Sequence, residues 1–290
     1  MFKSFLKIFF LKIRRFIFNK NNRELESKKF IEAIINKVSL KNDNYLKNGF
    51  KVYSQNDEDG LIESIFEDIG IKNKFFIEIG IGDGIENNTH YLLLKDWKGV
   101  WIDSNATVIK KLKKQINNYD SLNLKCAKIT PQNINQTINE YRKPKNNENF
   151  VIPENLDFLS IDIDSFDIFC IKELNIIKPR LICIEYNAKF PPPTKLSIGQ
   201  SQDFYWKYDD YFGSSLSFLV EEMEKKQYKL ISTNISGSNA FFTKSDLYPL
   251  CKTNGQLIKN IYMPPNYNLY DYNVTHTPTN KFLINKLKKK

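Results

Sequence analysis

The segment Glu78–Gly84, EIGIGDG, sets a carboxylate two residues before a G-x-G-x-G run. Glycines at such a position let backbone approach a ligand closely and adopt positive φ. The spacing differs from the G-x-G-x-x-G of dinucleotide sites, whose third glycine would fall at Ile85. A pyrophosphate also calls for neutral backbone donors rather than two nearby acids. A zwitterionic ligand carries an ammonium, which Glu78 or Asp83 can offset directly or through water. Glu78, Gly80, Gly82, Asp83 and Gly84 are therefore candidates for holding a methionyl-bearing nucleoside. Asp103 closes the apolar run GVWID, twenty positions after Asp83. An acid at about that distance from a glycine loop is where a ribose diol is held, each hydroxyl donating to one carboxylate oxygen.

A second group of acids lies further along, in SIDIDSFD: Asp162, Asp164 and Asp167. Strand alternation would point Asp162 and Asp164 to the same side, with Asp167 at the start of the next helix. These carboxylates could contact the adenosine half or an acceptor, hold a divalent metal, or take a proton from an acceptor hydroxyl. A metal would need further oxygen ligands, for which Glu185 and Asn187 are plausible donors; no resident metal is expected. Asp162 and Asp164 are the first candidates for a catalytic base, with Glu185 behind them. His90 falls within a helical stretch and is expected to be a packed residue.

Elements placing these groups follow from periodicity. Asn56 or Asp57 can cap a helix over EDGLIESIFEDIG. Apolar runs at 75–80, 99–103, 124–129, 157–164 and 181–187 read as strands. Between them ENNTHYLLLKD, ATVIKKLKKQIN, INQTINEY and FDIFCIKELNII read as helices. Residues 188–213, with three consecutive prolines and many aromatics (Phe190, Phe204, Tyr205, Trp206, Tyr208, Tyr211 and Phe212), form an irregular insertion. A helix from Ser214 or Ser215 precedes strands at 228–234 and 239–245, which follow one another with no helix between. The chain is thus α/β, with a seven-stranded, mostly parallel sheet and an antiparallel closing strand. Its ligands are expected beyond the carboxyl ends of the strands.

The 290 residues fit one medium domain with appendages, residues 46–250, flanked by a linker and helix (21–45) and a polar, basic tail (251–290). Hydrophobic residues at 41% suffice for a core, and a net charge of +10 favours anionic surfaces or is a solvated lysine coat. Four cysteines without CxxC spacing and two histidines make no zinc set. Cys126 and Cys183 are expected as buried thiols of a cytoplasmic protein. Residues 1–20 gather Phe2, Phe5, Leu6, Phe9, Phe10, Ile13, Phe16 and Ile17 on one helical face, opposite Lys3, Lys7, Arg14 and Arg15. That pattern suits a helix lying on the inner face of an anionic membrane through residues 1–18, or packing on a partner or on the domain itself. No uncharged run reaches the length of a spanning helix.

YSQNDEDGLIESIF, FFIEIGIGDGIENNTHYLL, GVWID, DFLSIDIDSFD, ICIEYNAKFPPP, DDYFGSSL and NAFF, in that order from about Tyr53 to Lys244, resemble the FkbM-like methyltransferases. The blocks are most similar to an uncharacterised bacterial branch found with polysaccharide-modifying genes. The resemblance implies a class I, Rossmann-like methyltransferase fold. It also implies that S-adenosylmethionine is held by Glu78, Gly80, Asp83, Gly84 and Asp103, with Asp162 on the cofactor or acceptor side. It further implies O-methylation of a sugar or glycolipid hydroxyl. No nucleic-acid partner is expected, because the fourth strand exit lacks an NPPY-like motif and its IDID acids are a poor surface for phosphates. Ser165 departs from the glycine that related sequences often place there. A non-catalytic module docked to a polysaccharide-assembly complex is the alternative, and the oligomeric state is open.

Overall fold

The computed structural model describes residues 20–39, 44–116, 121–142, 150–199, 206–267, 269 and 279–288. Apart from Lys20, the amphipathic helix expected over residues 1–20 lies outside the described residues.

Seven strands form one sheet: β1 (Phe75–Ile79), β2 (Lys98–Asp103), β3 (Leu122–Cys126), β4 (Phe158–Ile161), β5 (Leu181–Glu185), β6 (Tyr228–Thr233) and β7 (Asn239–Lys244). Their order is β3-β2-β1-β4-β5-β7-β6. Only β7 runs antiparallel to its neighbours, β5 on one side and β6 on the other. This is the seven-stranded, mostly parallel sheet with an antiparallel closing strand expected from the sequence. Strand order reverses between β1 and β4, where open α/β sheets bind ligands.

The strands read as continuous apolar runs because both faces are covered. Ile77, Ile79, Leu159, Ile161, Ile182 and Ile184 share one core, sealed by α5 (Ile134–Asn139), α6 (Asp167–Glu173) and α7 (Leu216–Lys225). Phe76, Trp101, Phe158, Leu181 and Phe241 share the other. Period-two alternation divides them, so Glu78 falls on the Phe76 face. That face is covered by α2 (Glu58–Ile69), α3 (His90–Leu94) and α4 (Ala106–Gln115). Asp157 anchors the sheet's far end. Buried, it accepts from the backbone N–H groups of Lys72, Asn73 and Lys74 and pairs with Arg180 at 3.2 Å.

Several boundaries differ from expectation. Helix α3 spans only His90–Leu94, because residues 86–89 turn about the Glu78 carboxylate instead. Strand β3 begins two residues early, and Cys126, at its exposed end, is no buried thiol, unlike Cys183. The polar stretch from residue 20 is the first half of a helix, α1 (Lys20–Ser39), rather than a linker. Good helix formers carry it, and Ile31, Ile34 and Ile35 pack it against the Phe76-side core. The described parts of the basic tail, residues 251–267 and 279–288, are docked on the domain. Helix α8 spans Ile258–Ile261 and α9 spans Lys281–Lys288, and Leu283 and Leu287, one turn apart, are buried. Tyr186 Oη donates to Met263 O at 2.6 Å, and Tyr262 Oη to Ala188 O at 2.7 Å. The folded unit therefore extends beyond 46–250 in both directions.

Candidate functional site

Gly80 leaves β1 with φ +86°, and a Cβ there would lie 1.6 Å from Asp162 O. Only glycine lets the exits of β1 and β4 pack backbone to backbone. The two strands are tied at this point by Asp162 N donating to Ile79 O at 3.0 Å. Gly82 N then donates to Asp103 Oδ2 at 3.0 Å, while Asp103 Oδ1 accepts from Asn105 N at 2.7 Å. Asn105 in turn caps α4 through Thr107 N and Val108 N. Asp103 thus clasps the glycine loop to β2, and each of its oxygens keeps acceptor capacity for a hydroxyl.

A cavity of about 510 Å³ opens over these groups, lined by Gly80, Gly82, Asp103, Ser104, Asp162, Phe166, Trp206 and Tyr208, among others. A second cavity of about 620 Å³ adjoins it, lined by Asn56, Asp162, Asp164, Glu185, Asp209, Asp210 and Tyr267. Asp162, Asp164, Trp206 and Tyr208 line both and form a common wall. Both cavities lie beyond the carboxyl ends of the parallel strands.

Among the residues expected to hold a cofactor, Gly80, Gly82, Asp103 and Asp162 come together on the first cavity. Glu78, Asp83 and Gly84 line neither. Glu78 is buried, and its carboxylate accepts from Asn87 Nδ2, Asn88 N, Thr89 N and Thr89 Oγ1. Four donors leave no room for an ammonium, so Glu78 holds the 86–89 turn. Burial pushes its carboxyl upward, and those hydrogen bonds draw it back. Asp83 is exposed and accepts from Ile85 N at 2.9 Å. Gly84 packs against Trp101 and Leu112, and its carbonyl accepts from His90 Nδ1 at 3.1 Å. His90 is the packed residue expected: fully buried, it stacks on Tyr53 with ring centroids 3.8 Å apart, and burial lowers its pKa to about 4.

The three expected catalytic acids do converge, although not by strand alternation. Strand β4 stops at Ile161, and Asp164 sits in a loop at φ +58°. One carboxylate oxygen each from Asp162, Asp164 and Glu185 lies within 4.8 Å of the others. Burial, then the charges of Asp167, Asp164 and Glu78, push the Asp162 carboxyl well up. Burial, then the charges of Asp162, Asp167 and Asp164, do likewise for Glu185, and burial raises Asp164. Asp167 stands apart as a loop clamp, accepting from Ile163 N and Ser165 N, with its pKa raised by burial to about 6. Asn187 is no free donor. Its amide donates to Asp210 O and Phe212 O and accepts from Lys189 N, which ties down the insertion.

Sequence reasoning missed Asn56 and Tyr267 as cavity residues. Asn56 offered only a capping signal, and Tyr267 sits in a segment without periodicity. Phe204 and Tyr205 lie outside the described residues.

No protein-family model matches the chain, and no curated protein does. Among solved structures it is similar to an S-adenosylmethionine-dependent methyltransferase from Aquifex aeolicus, at 13% identity over 71% of this chain and 95% of that one, TM-score 0.36. It is also similar to a TehB-like methyltransferase from Corynebacterium glutamicum (10% identity, 76% and 98% covered, TM-score 0.36). A third is Aeropyrum pernix fibrillarin with natively bound S-adenosyl-L-methionine (7% identity, 60% and 67% covered, TM-score 0.39). Likeness at this level carries no argument about activity, which rests on the site itself.

Proposed function

We propose that the protein is an S-adenosylmethionine-dependent O-methyltransferase acting on a sugar hydroxyl of a polysaccharide or glycolipid precursor. The observation that carries this reading is the pair of adjoining cavities that share Asp162, Asp164, Trp206 and Tyr208 as a wall. One has the form of a nucleoside site and the other that of an acceptor site. The residues fit the cofactor: Gly80 brings bare backbone to the cavity floor, and Asp103 keeps oxygen lone pairs for a ribose diol. When bound, S-adenosylmethionine supplies a methyl group on a sulfonium.

The chain's own contribution is chiefly positioning, since in-line displacement depends on attack geometry. Asp103 and the Gly80–Gly82 backbone orient the donor. Trp206 and Tyr208 offer apolar faces on which a sugar ring can stack. Asp162 or Asp164 takes the acceptor hydroxyl proton as its oxygen gains the methyl carbon. A carboxyl held above its ordinary range is a stronger base for that task. Phosphate acceptors are disfavoured at this wall, because the second cavity is lined by five carboxylates and one lysine, Lys189, already paired with Asp210. Nucleic acid is therefore a poor acceptor. Residues 1–18, whose sequence spacing would set apolar and basic side chains on opposite sides of a helix, would bring the enzyme to a lipid-linked acceptor at a membrane surface. No described helix is long and apolar enough to cross a membrane.

Calorimetric titration of the full chain with S-adenosylmethionine and S-adenosylhomocysteine tests the reading. Micromolar binding, weakened at least about tenfold by Asp103→Ala, is the expected result, as for a lost charge-assisted hydrogen bond. A folded protein that binds neither compound would overturn it.

A further inference from the structure

The carboxylates on the shared wall stand close together. Asp162 and Asp164 follow β4, Glu185 ends β5, and their nearest oxygens lie within 4.8 Å of one another. The lysine of the same cavity, Lys189, is turned to Asp210. Independently of this clustering, Glu185 Oε2 is buried against the cavity and meets no hydrogen-bond donor among the described residues. A buried carboxyl oxygen without a partner is costly, and a cation that takes it as a ligand removes that cost.

The donor set narrows the kind of cation. It holds carboxylate oxygens alone, with no imidazole or thiolate, which suits hard ions such as Mg²⁺, Mn²⁺ or Ca²⁺ over zinc. Metal–oxygen bonds of about 2.1–2.4 Å place neighbouring or opposed ligand oxygens roughly 3–5 Å apart. The oxygens of the three acids, all within 4.8 Å of one another, do not exceed that range. Three protein oxygens would leave the remaining positions to water and to an acceptor oxygen.

We propose that Asp162, Asp164 and Glu185 bind one divalent cation, Mg²⁺ or Mn²⁺, in the wall between the two cavities, where it takes the acceptor hydroxyl as a ligand. Its catalytic meaning rests on the methyltransferase reading, whereas the binding itself does not. The cation lowers the hydroxyl's pKa, so its proton passes to solvent water as the oxygen bonds to the methyl carbon. The carbon–sulfur bond breaks in the same step, and its electron pair remains on sulfur. With the cation bound, Asp162 and Asp164 serve as its ligands, and this replaces the direct proton transfer to either of them that the ion-free site would use.

The full chain is stripped with EDTA and titrated with Mn²⁺ by calorimetry and electron paramagnetic resonance. The same samples are titrated with S-adenosylmethionine. One Mn²⁺ per chain is expected, bound at least about tenfold more weakly by Glu185→Gln and by Asp164→Asn, each of which deletes one ligand. Asp164 is exposed, so its variant keeps the test sound should Glu185→Gln fail to fold. Absence of saturable Mn²⁺ binding in protein that still binds S-adenosylmethionine overturns the cation site alone. Equal Mn²⁺ binding by the parent and both variants overturns it too. Mn²⁺ binding that the variants weaken, in protein that never binds S-adenosylmethionine, upholds the site and removes the methyltransferase reading.

Discussion

Alanine at Gly80 and alanine at Gly82 should differ sharply, although both glycines have positive φ and lie two residues apart. At Gly82, φ is +55° and nothing stands within 4 Å of a new Cβ. The cost there is the left-handed backbone alone, about 1–2 kcal/mol. At Gly80 the same conformational cost applies, with a Cβ 1.6 Å from the carbonyl oxygen of Asp162. Relieving that overlap means parting the exits of β1 and β4, where Asp162 N meets Ile79 O at 3.0 Å. Overpacking adds about 1–3 kcal/mol, and a lost buried hydrogen bond roughly 1–3 kcal/mol more. The total at Gly80 is about 3–8 kcal/mol. Each kcal/mol moves the melting temperature roughly 2–4 °C in a chain of this size. Thermal unfolding followed by circular dichroism should therefore show a small drop for Gly82→Ala and one several-fold larger for Gly80→Ala. S-adenosylmethionine affinity should fall further in the second. Melting temperatures agreeing within about 2 °C, less than 1 kcal/mol at this size, would refute the backbone-contact reasoning.

Glu78→Gln presents an amide donor to a ring of donors, and is expected to destabilise by about 1–3 kcal/mol for each donor left unpaired. In the folded fraction it should weaken S-adenosylmethionine binding less than Asp103→Ala does; the reverse order by calorimetry would return Glu78 to the ligand set. His90→Phe keeps a ring beside Tyr53 and removes a group whose pKa of about 4 lies below the ordinary 6.5. Such a depressed histidine binds fewer protons folded than unfolded, so its stabilising share is full above pH 6.5 and is lost as pH falls towards 4. The gap corresponds to roughly 3 kcal/mol, so denaturant unfolding of His90→Phe should depend less on pH across that window. An unchanged slope would show that His90 titrates normally.

The sheet was legible in the sequence because five parallel strands buried on both faces leave apolar runs that turn residues punctuate. Gly80, Asp103 and Asp162 followed from the rule that ligands gather at strand exits, which needs only the strand ends. The role of Glu78 was not legible, because its partners lie 9–11 residues onward in a turn with no period. A stretch with helical composition, 86–89, gave way there to four hydrogen bonds on one carboxylate. Asp162 and Asp164 were paired correctly for a reason that fails, since the strand ends before either. The C-terminal segment carried two apolar residues one turn apart, Leu283 and Leu287, too sparse a signal against its polar composition.

The position of β7 between β5 and β6 constrains the order of assembly. Strand β6 is made first yet has no sheet neighbour except β7, so it cannot join alone. Throughout synthesis β5 therefore presents a bare edge, a liability for aggregation, until Lys244 has emerged and the last two strands dock as one hairpin. Asp57 and Glu58, at the start of α2, wait for the same event. Their carboxylates accept from Ile235 N, 178 residues away, and from Asn234 and Asn239, 176 and 181 residues away. Contacts of that separation close late, because chain entropy opposes them until the rest is in place. Glu185, paired in register with Asn239, gains its neighbouring strand only then, so the acidic wall is among the last parts of the molecule to take shape.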